Sequence, residues 1–522
     1  MSLRGHVPAA VARLTPTGRL PATNQLSLAI GLPLRNQSEL AELLRQLGDP
    51  RSPNYHKYLT PEEFTARFGP TEQDYAAVKE FARTNGLAVT GTFGNRLLLD
   101  VAGRTPAVEA AFHINLRTYR HPLENRDFFA TDMEPTVDAS LPVVDVSGLD
   151  NFTRPHPKVH PLSAAMSPRV GTAPGGGYMG DDFRTAYVPG TPLDGSGQTV
   201  GLLQFDGFYA SDIAAYESLA GRTNIPVQAV LVDGVSGTPG YLGIADGNTE
   251  VSLDIEMAIS MAPGLAQVLV FEGSIENDIL NTMAAHSTVK NLSSSWGWSG
   301  GPSTTTDNIF KTMAAQGQSF FNATGDSDAF PAGTADANVP STSPYITQVG
   351  GTFLATASAG GDYATESAWN RGGGIGSSGG ISTYYAIPSW QQGINSFANN
   401  GGSTTTRNVP DVALTGDAVY VKSGNGSAGN VGGTSCAAPL WAGFMALVKP
   451  AGGGRRPAGR GLHQSGHLRT RQRIHLQLGF SRHHRRRHHV VRQPERVLRR
   501  AGLRPLHRRR HAERNEFNQC PG

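Results

Sequence analysis

VGGTSCAAPLWAGFMAL, residues 431–447, sets a serine between a Gly-Gly-Thr turn and a Cys-Ala-Ala-Pro segment that opens an apolar helical run. Glycine lets the backbone turn tightly, and the helix behind it offers free amides and the positive end of its dipole. A nucleophile is presented in this way, so Ser435 is the first candidate. Its proton needs an acceptor. Between Tyr178 and Lys449 the sole histidine is His286, which ends the apolar stretch AAHSTVK with nothing nearby to orient an imidazole. His286 therefore reads as structural, and the base has to come from another side-chain type.

NTEVSLDIEMAISMA (248–262) offers one. Glu250 and Asp254 lie four apart on a predicted helix, so their carboxyl groups emerge on one face. Spacing alone also suits a solvated acidic face. Against that, Val251, Ile255 and Ala258 form an apolar stripe and Glu256 is the only other charge, which argues for burial. Two buried carboxyls share a proton, one pKa rising and the other falling. An ionised Glu250 held by Asp254 can then accept the Ser435 proton, and such a base works in acid, where imidazole is already charged. A third acid, Asp326 in FFNATGDSDAF (320–330), follows a predicted strand. It reads either as a turn aspartate capping its own backbone or as a protonated acid that donates to an oxyanion.

Around these motifs, apolar strand-like runs alternate with helical ones: QTVGLLQF, helix 211–221, helix 249–262, AQVLVFEG, helix 275–286, VKNLSSSWGW, helix 307–316, SFFNATGD and YITQVGGTF. The pattern predicts an α/β domain over 178–449 with a parallel sheet covered by helices on both faces. Sites in such sheets gather at the carboxyl ends of the strands. Residues 1–152 read as a separate small α+β domain, with a strand at 26–34, helices at 37–49 and 71–86, a strand pair from LAVTGTF and RLLLDVAG, and a short helix in PAVEAAF. Between the two, 153–177 (TRPHPKVHPLSAAMSPRVGTAPGGG) has proline, glycine and scattered basic residues without periodicity. It is expected to be an exposed, flexible connection suited to proteolytic cutting.

At 522 residues the chain is long enough for two or three domains, and 63 Gly with 34 Pro indicate a loop-rich globular protein. Two cysteines exclude a disulfide framework. No apolar run reaches membrane-spanning length, and MSLRGHVPAAVARL lacks the apolar stretch of a signal peptide. Residues 451–522 hold 19 Arg and 3 Glu, a net +16, and the chain's total of +3 therefore leaves −13 for residues 1–450.

With Glu250, Asp254, Asp326 and Ser435 in that order, the chain resembles the sedolisin, or serine-carboxyl peptidase, family. The resemblance covers roughly residues 20–448 and rests on ExxxD, GDS and GTS segments, together with DPRSPNYHKYLTPEEFTARFGP, NRLLLDV and VEAAFHINLRTY in the first domain. It implies a subtilisin-like catalytic domain preceded by a ferredoxin-like activation prodomain, which assists folding and blocks the cleft until removed. It further implies Ser435 as nucleophile, Glu250 as general base and acid, Asp254 as its partner and Asp326 in the oxyanion hole. Ser293, Ser294, Ser295, Trp296 and Gly297 resemble the family's substrate-lining strand. Protein or peptide substrates, secretion and a bound Ca²⁺ follow from the same resemblance, with no nucleic acid or membrane as partner.

The calcium ligands of the family lie in a segment that this chain lacks as written. Arg and His codons begin CG and CA, and reading one base later turns them readily into Asp, Gly, Ile and Thr codons. GLHQSGHLRTR (461–471) then becomes GFINPAIYALG, RHHRRRHH (482–489) becomes DITVGDIT, and GLRPLHRRRHAER (502–514) becomes DYDLCTGVGTPNG. These resemble the family's C-terminal motifs, which places a frameshift between about Ala446 and Arg460 and the calcium-ligand aspartates at Arg482 and Arg504. Guanidinium offers a hard cation no oxygen, so no metal ligand is assigned in the written chain. Taken literally, the tail leaves two alternatives, an inactive pseudoenzyme or a nucleic-acid-binding protein, although Phe480 and Phe517 alone give little for base stacking.

Overall fold

The computed structural model describes residues 1–163, 171–222, 224–298, 303–331, 333–338, 342–394 and 401–448. Part of the connection (164–170) and the basic tail, with Arg482 and Arg504, lie outside the described residues. Among those described, no helix is long and apolar enough to cross a membrane.

Runs such as Val-Leu-Val-Phe at 268–271 are apolar on both faces, so a sheet built from them has to be covered twice. The sheet has eight strands, in the order Val227–Leu231, Gln267–Glu272, Thr199–Gln204, Asn291–Ser294, Ser319–Ala323, Thr347–Thr356 and Tyr363–Ala368, with Val412–Thr415 also paired to Thr347–Thr356. All pairings are parallel except that of Tyr363–Ala368. Flanking helices run over Ala210–Leu219, Gly247–Met261, Glu276–Ala285 and Thr304–Ala315, close to the ranges expected from the apolar spacing.

Two further features place the site. The helix Gly247–Met261 is buried along nearly its whole circumference, as its apolar composition requires. The helix Thr434–Val448 packs against it at Gly443, where a Cβ would sit 2.9 Å from the Ala258 carbonyl oxygen and 2.9 Å from Met261 Cβ. Only a glycine lets the two helices approach so closely, which brings the acids of one to the serine of the other.

The N-terminal domain carries an antiparallel four-stranded sheet in the order Ala88–Thr92, Leu98–Arg104, Gln25–Gly31 and Asp145–Ser147. Its helix Glu72–Thr84 starts with a Thr71–Asp74 capping box. Pro61–Phe68, which was not anticipated, starts with one from Thr60 and Glu63. Leu40, Leu43, Leu47, Phe64 and Phe68 join the core of the larger domain rather than that of their own. The domain seats on the helices Glu276–Ala285 and Thr304–Ala315. Asn95 and Asn281 exchange amide hydrogen bonds of 2.6 and 3.3 Å, Asn277 donates to Ser147, and the Leu59 N–H donates to the Ala315 carbonyl. Three carboxylates, Asp100 from the small domain with Asp233 and Asp278 from the large one, cluster across the same interface.

The connection departs from its expected exposure. His156–Pro157 pairs antiparallel with Trp296–Gly297, and His160–Pro161 pairs with Val431–Gly432. Proline biases its neighbours towards extended backbone. The segment thus reads locally as coil but becomes a strand once two edges are offered to it, and Lys158 and Val159 are buried.

Candidate active site

Strand carboxyl ends supply Gln204, Ser295 and the loop bearing Asp326, and the two packed helices supply Glu250, Asp254 and Ser435. All four predicted catalytic residues are buried at this one place. Asp254 is held on both oxygens: Ser295 Oγ donates to Oδ1 at 2.5 Å and Gln204 Nε2 to Oδ2 at 2.7 Å. Gln204 is itself fixed by the Trp296 indole N–H at 2.5 Å. Asp254 acts on Glu250 through charge, and each of its oxygens accepts from a neighbour of its own, Ser295 or Gln204.

Burial, first, and then the charge of Asp254 push Glu250 well above the usual carboxylate range. Two donors oppose this, the Ser435 hydroxyl and the Lys158 amide, whose N–H donates to Glu250 Oε2 at 2.6 Å. The serine is near enough to favour a charged Glu250, yet Ser435 Oγ and Glu250 Oε1 both lack a closed hydrogen bond. Burial also raises Asp254. Pro439, inside the serine helix, has no N–H to give the Ser435 carbonyl, which instead lies 3.3 Å from Ser295 Oγ. A protonated Asp254 can donate to Ser295, freeing the Ser295 proton for that carbonyl.

On the opposite side, Asp326 Oδ1 accepts from the Thr434 N–H and hydroxyl, both at 2.8 Å, and the Gly325 N–H donates to the same hydroxyl at 3.0 Å. Asp326 Oδ2 lies 3.2 Å from His160 Nε2 and raises the pKa of that imidazole. Gly433, with φ 144°, leaves the space between them. A Cβ there would stand 2.2 Å from the Lys158 carbonyl oxygen and 2.7 Å from Asp326 Oδ2. The carbonyl and the acid therefore share one small cradle beside the serine turn.

Of the predicted lining residues, Ser293 and Ser294 sit within the parallel sheet, paired with Leu202 and Leu203. Ser295 turns to Asp254, while Trp296 and Gly297 form the edge that pairs with the connection. His286 caps its helix, its Nδ1 2.8 Å from the Thr282 carbonyl and its ring edge-on to Phe271. Sequence reasoning missed Lys158, His160, Gln204 and Thr434. The repeated His-Pro pairs of 156–161 were the visible sign of an extended segment, and nothing local marked Gln204. Cys436 is buried behind the nucleophile and is a free thiol.

Two family models match. Residues 12–152 match the pro-kumamolisin activation domain and residues 265–457 match the subtilase family. The molecule is thus a serine peptidase of subtilisin-like fold that carries its own activation prodomain. Sedolisin from Pseudomonas sp. (strain 101) is 30% identical over 474 residues, covering 84% of this chain and 78% of that protein. Kumamolisin from Bacillus sp. (strain MN-32) is 30% identical over 478 residues, covering 86% of each. The chain belongs to the sedolisin family of serine-carboxyl peptidases. A solved Pseudomonas sedolisin complexed with pseudo-iodotyrostatin is 27% identical, with a TM-score of 0.45 over 52% of this chain and 80% of that one.

Proposed function

We propose that the chain is the zymogen of a secreted, acid-acting endopeptidase in which Glu250, Asp254 and Ser435 form the catalytic triad and which removes its own prodomain. The observation that carries this reading is the pair of buried atoms without hydrogen bonds, Ser435 Oγ and Glu250 Oε1, on adjoining helices, while the one histidine of residues 178–449, His286, is held on its own helix at Thr282. Such atoms are costly unless used, and here each is what the other needs.

In the productive form Glu250 is the base, Asp254 shares the pair's proton with it and Asp326 faces the oxygen of the substrate carbonyl. Ser435 attacks a peptide carbonyl while its proton moves to Glu250, and Asp326 donates to the oxygen as it gains charge. Glu250 then gives the proton to the leaving amine, and water repeats the sequence on the acyl-enzyme. Asp326 Oδ2 lies 3.2 Å from His160 Nε2, so that contact has to open before the acid can face a substrate oxygen. Burial raises both Glu250 and Asp254, so the pair holds protons between them and the base is lost once pH falls far enough to protonate both.

The calcium implied by the family does not fit this chain as written, because Arg482 and Arg504 stand where carboxylates are required. We attribute the tail to a frameshift, in the gene or in its sequencing. That same feature favours a second reading, in which the written chain folds around its prodomain but is inactive.

The test is incubation of the full chain and its Ser435→Ala variant between about pH 3 and 7, followed by mass spectrometry. The parent is expected to process itself faster in acid than at neutrality and the variant to stay whole. Equal processing of both overturns the assignment of Ser435. A parent that stays whole, beside an active chain restored to the shifted frame, selects the second reading.

A further inference from the structure

We propose that Lys158–Val159 is the first bond this peptidase cuts in its own chain, and that the pocket for the residue before the cut is built for lysine. The inference rests on the peptidase reading above and supplies what that reading leaves open.

The connection is clamped on both sides of this bond. His156–Pro157 extends the edge strand Trp296–Gly297, and His160–Pro161 extends the strand Ser427–Gly432. Between the clamps both backbone groups of Lys158 meet the catalytic machinery. Its N–H donates to Glu250 at 2.6 Å, and its carbonyl oxygen occupies the cradle of Gly433 and Asp326. A peptide held by strand addition with one carbonyl in an oxyanion cradle is in the posture of a substrate. Gly297 also leaves room for the His156 ring, which a Cβ there would approach to 2.3 Å at Nε2 and turn aside.

The side chain makes the case for lysine. Lys158 is 5% exposed, and its Nζ donates to the Ala323 carbonyl at 2.6 Å. Burial lowers the pKa of the Lys158 ammonium to about 8, and the nearby acids Asp326, Glu250 and Asp254 oppose that fall. A neutral side chain of the same length forfeits that bond and that field. A carboxylate would face the Ala323 carbonyl and three acids.

The step balances within the chain and water. Ser435 Oγ bonds to the Lys158 carbonyl carbon, its proton passes through Glu250 to the Val159 nitrogen, and the Lys158–Val159 C–N bond breaks. Water then bonds to that carbon, the ester to Ser435 breaks, and the serine regains a proton. The products end in the Lys158 carboxylate and begin with the Val159 amine.

Three measurements decide it. Early time points of self-processing in acid, read by mass spectrometry, are expected to show fragments ending at Lys158 and beginning at Val159; an earlier cut elsewhere overturns the assignment. A synthetic peptide RPHPKVHPLS (154–163), given to the processed enzyme, should be cut at Lys-Val. The analogue with Lys158→Met should lose about 10- to 100-fold in kcat/KM, the worth of a hydrogen bond made by a charged group. A change under threefold removes the lysine pocket. In the uncut Ser435→Ala chain, Lys158 should resist reductive methylation far longer than the exposed Lys57, and equal labelling refutes the clamped posture without reference to activity. Loss of all hydrolysis with Lys158 still protected points instead to failure of the peptidase reading.

Discussion

Gly433→Ala probes the oxyanion cradle directly. The added Cβ would lie 2.2 Å from the Lys158 carbonyl oxygen and 2.7 Å from Asp326 Oδ2, both far inside van der Waals contact. Neither neighbour can step aside freely. The carbonyl is fixed by strand pairing on both sides, and Asp326 is tied to Thr434 by two bonds of 2.8 Å. The methyl group therefore pushes the carbonyl away from Asp326, the donor it would face in the proposed reaction. Removing one oxyanion donor costs about 3–4 kcal/mol, or roughly 10²–10³ in kcat. The left-handed φ of 144° adds about 1 kcal/mol of strain, which thermal unfolding would register separately. The assay is kcat and KM on the 154–163 peptide, with urea unfolding as a control for the fold. The expected result is kcat lower by about 100-fold or more, with KM changed less. A folded variant with kcat within about threefold of the parent would show that no substrate carbonyl enters this cradle.

Three other outcomes are expected. Burial pushes Asp100 up to about 6 and raises Asp278 as well, so the docked interface binds protons that the separated domains release; docking is strongest below about pH 4 and weakens as pH rises through 6. Hydrogen exchange of the Ser435→Ala chain should show the interface loosening by roughly 2 kcal/mol over that range, and Asp278→Asn should flatten the trend; an interface that tightens with pH contradicts it. Gly443→Val must push the serine helix off Ala258 and Met261, and urea unfolding should register a loss of about 1–3 kcal/mol together with reduced activity; unchanged stability would mean the helices have slack there. Gln204→Met keeps volume but releases one oxygen of Asp254, and kcat should fall about tenfold with KM nearly constant; an unaltered kcat removes Gln204 from the positioning of the acids.

The carboxylate cluster bears on activation. Acid tightens rather than opens the contact at Asp100 and Asp278, so these groups do not release the prodomain when pH falls. Under the function proposed above, the cut in the connection rather than a loosened interface is the step expected to free the cleft.

Much of this was legible in the chain because burial leaves a mark on composition. The continuous apolar strands and the helix around Glu250 and Asp254, whose only other charge is Glu256, announced a doubly covered sheet with acids inside it. Ser435 was visible from its glycine turn. Other parts were hidden because they depend on partners distant in sequence. Gln204 is one polar residue at the end of an apolar strand, and only the fold sets it between Asp254 and Trp296. The helix Pro61–Phe68 is short, and its apolar face belongs to the other domain's core. The connection was read as exposed because its prolines break periodicity, whereas two sheet edges supply the pairing that the segment lacks locally.

The central claim is that carboxylates, and not an imidazole, activate Ser435. The most direct measurement is the pH dependence of Ser435 acylation in the parent and in Glu250→Gln. The account predicts that the variant loses about 10²–10⁴ in rate and also loses the limb of the profile that reports ionisation of the base. A Glu250→Gln enzyme that acylates within about tenfold of the parent, with the same profile, would contradict it.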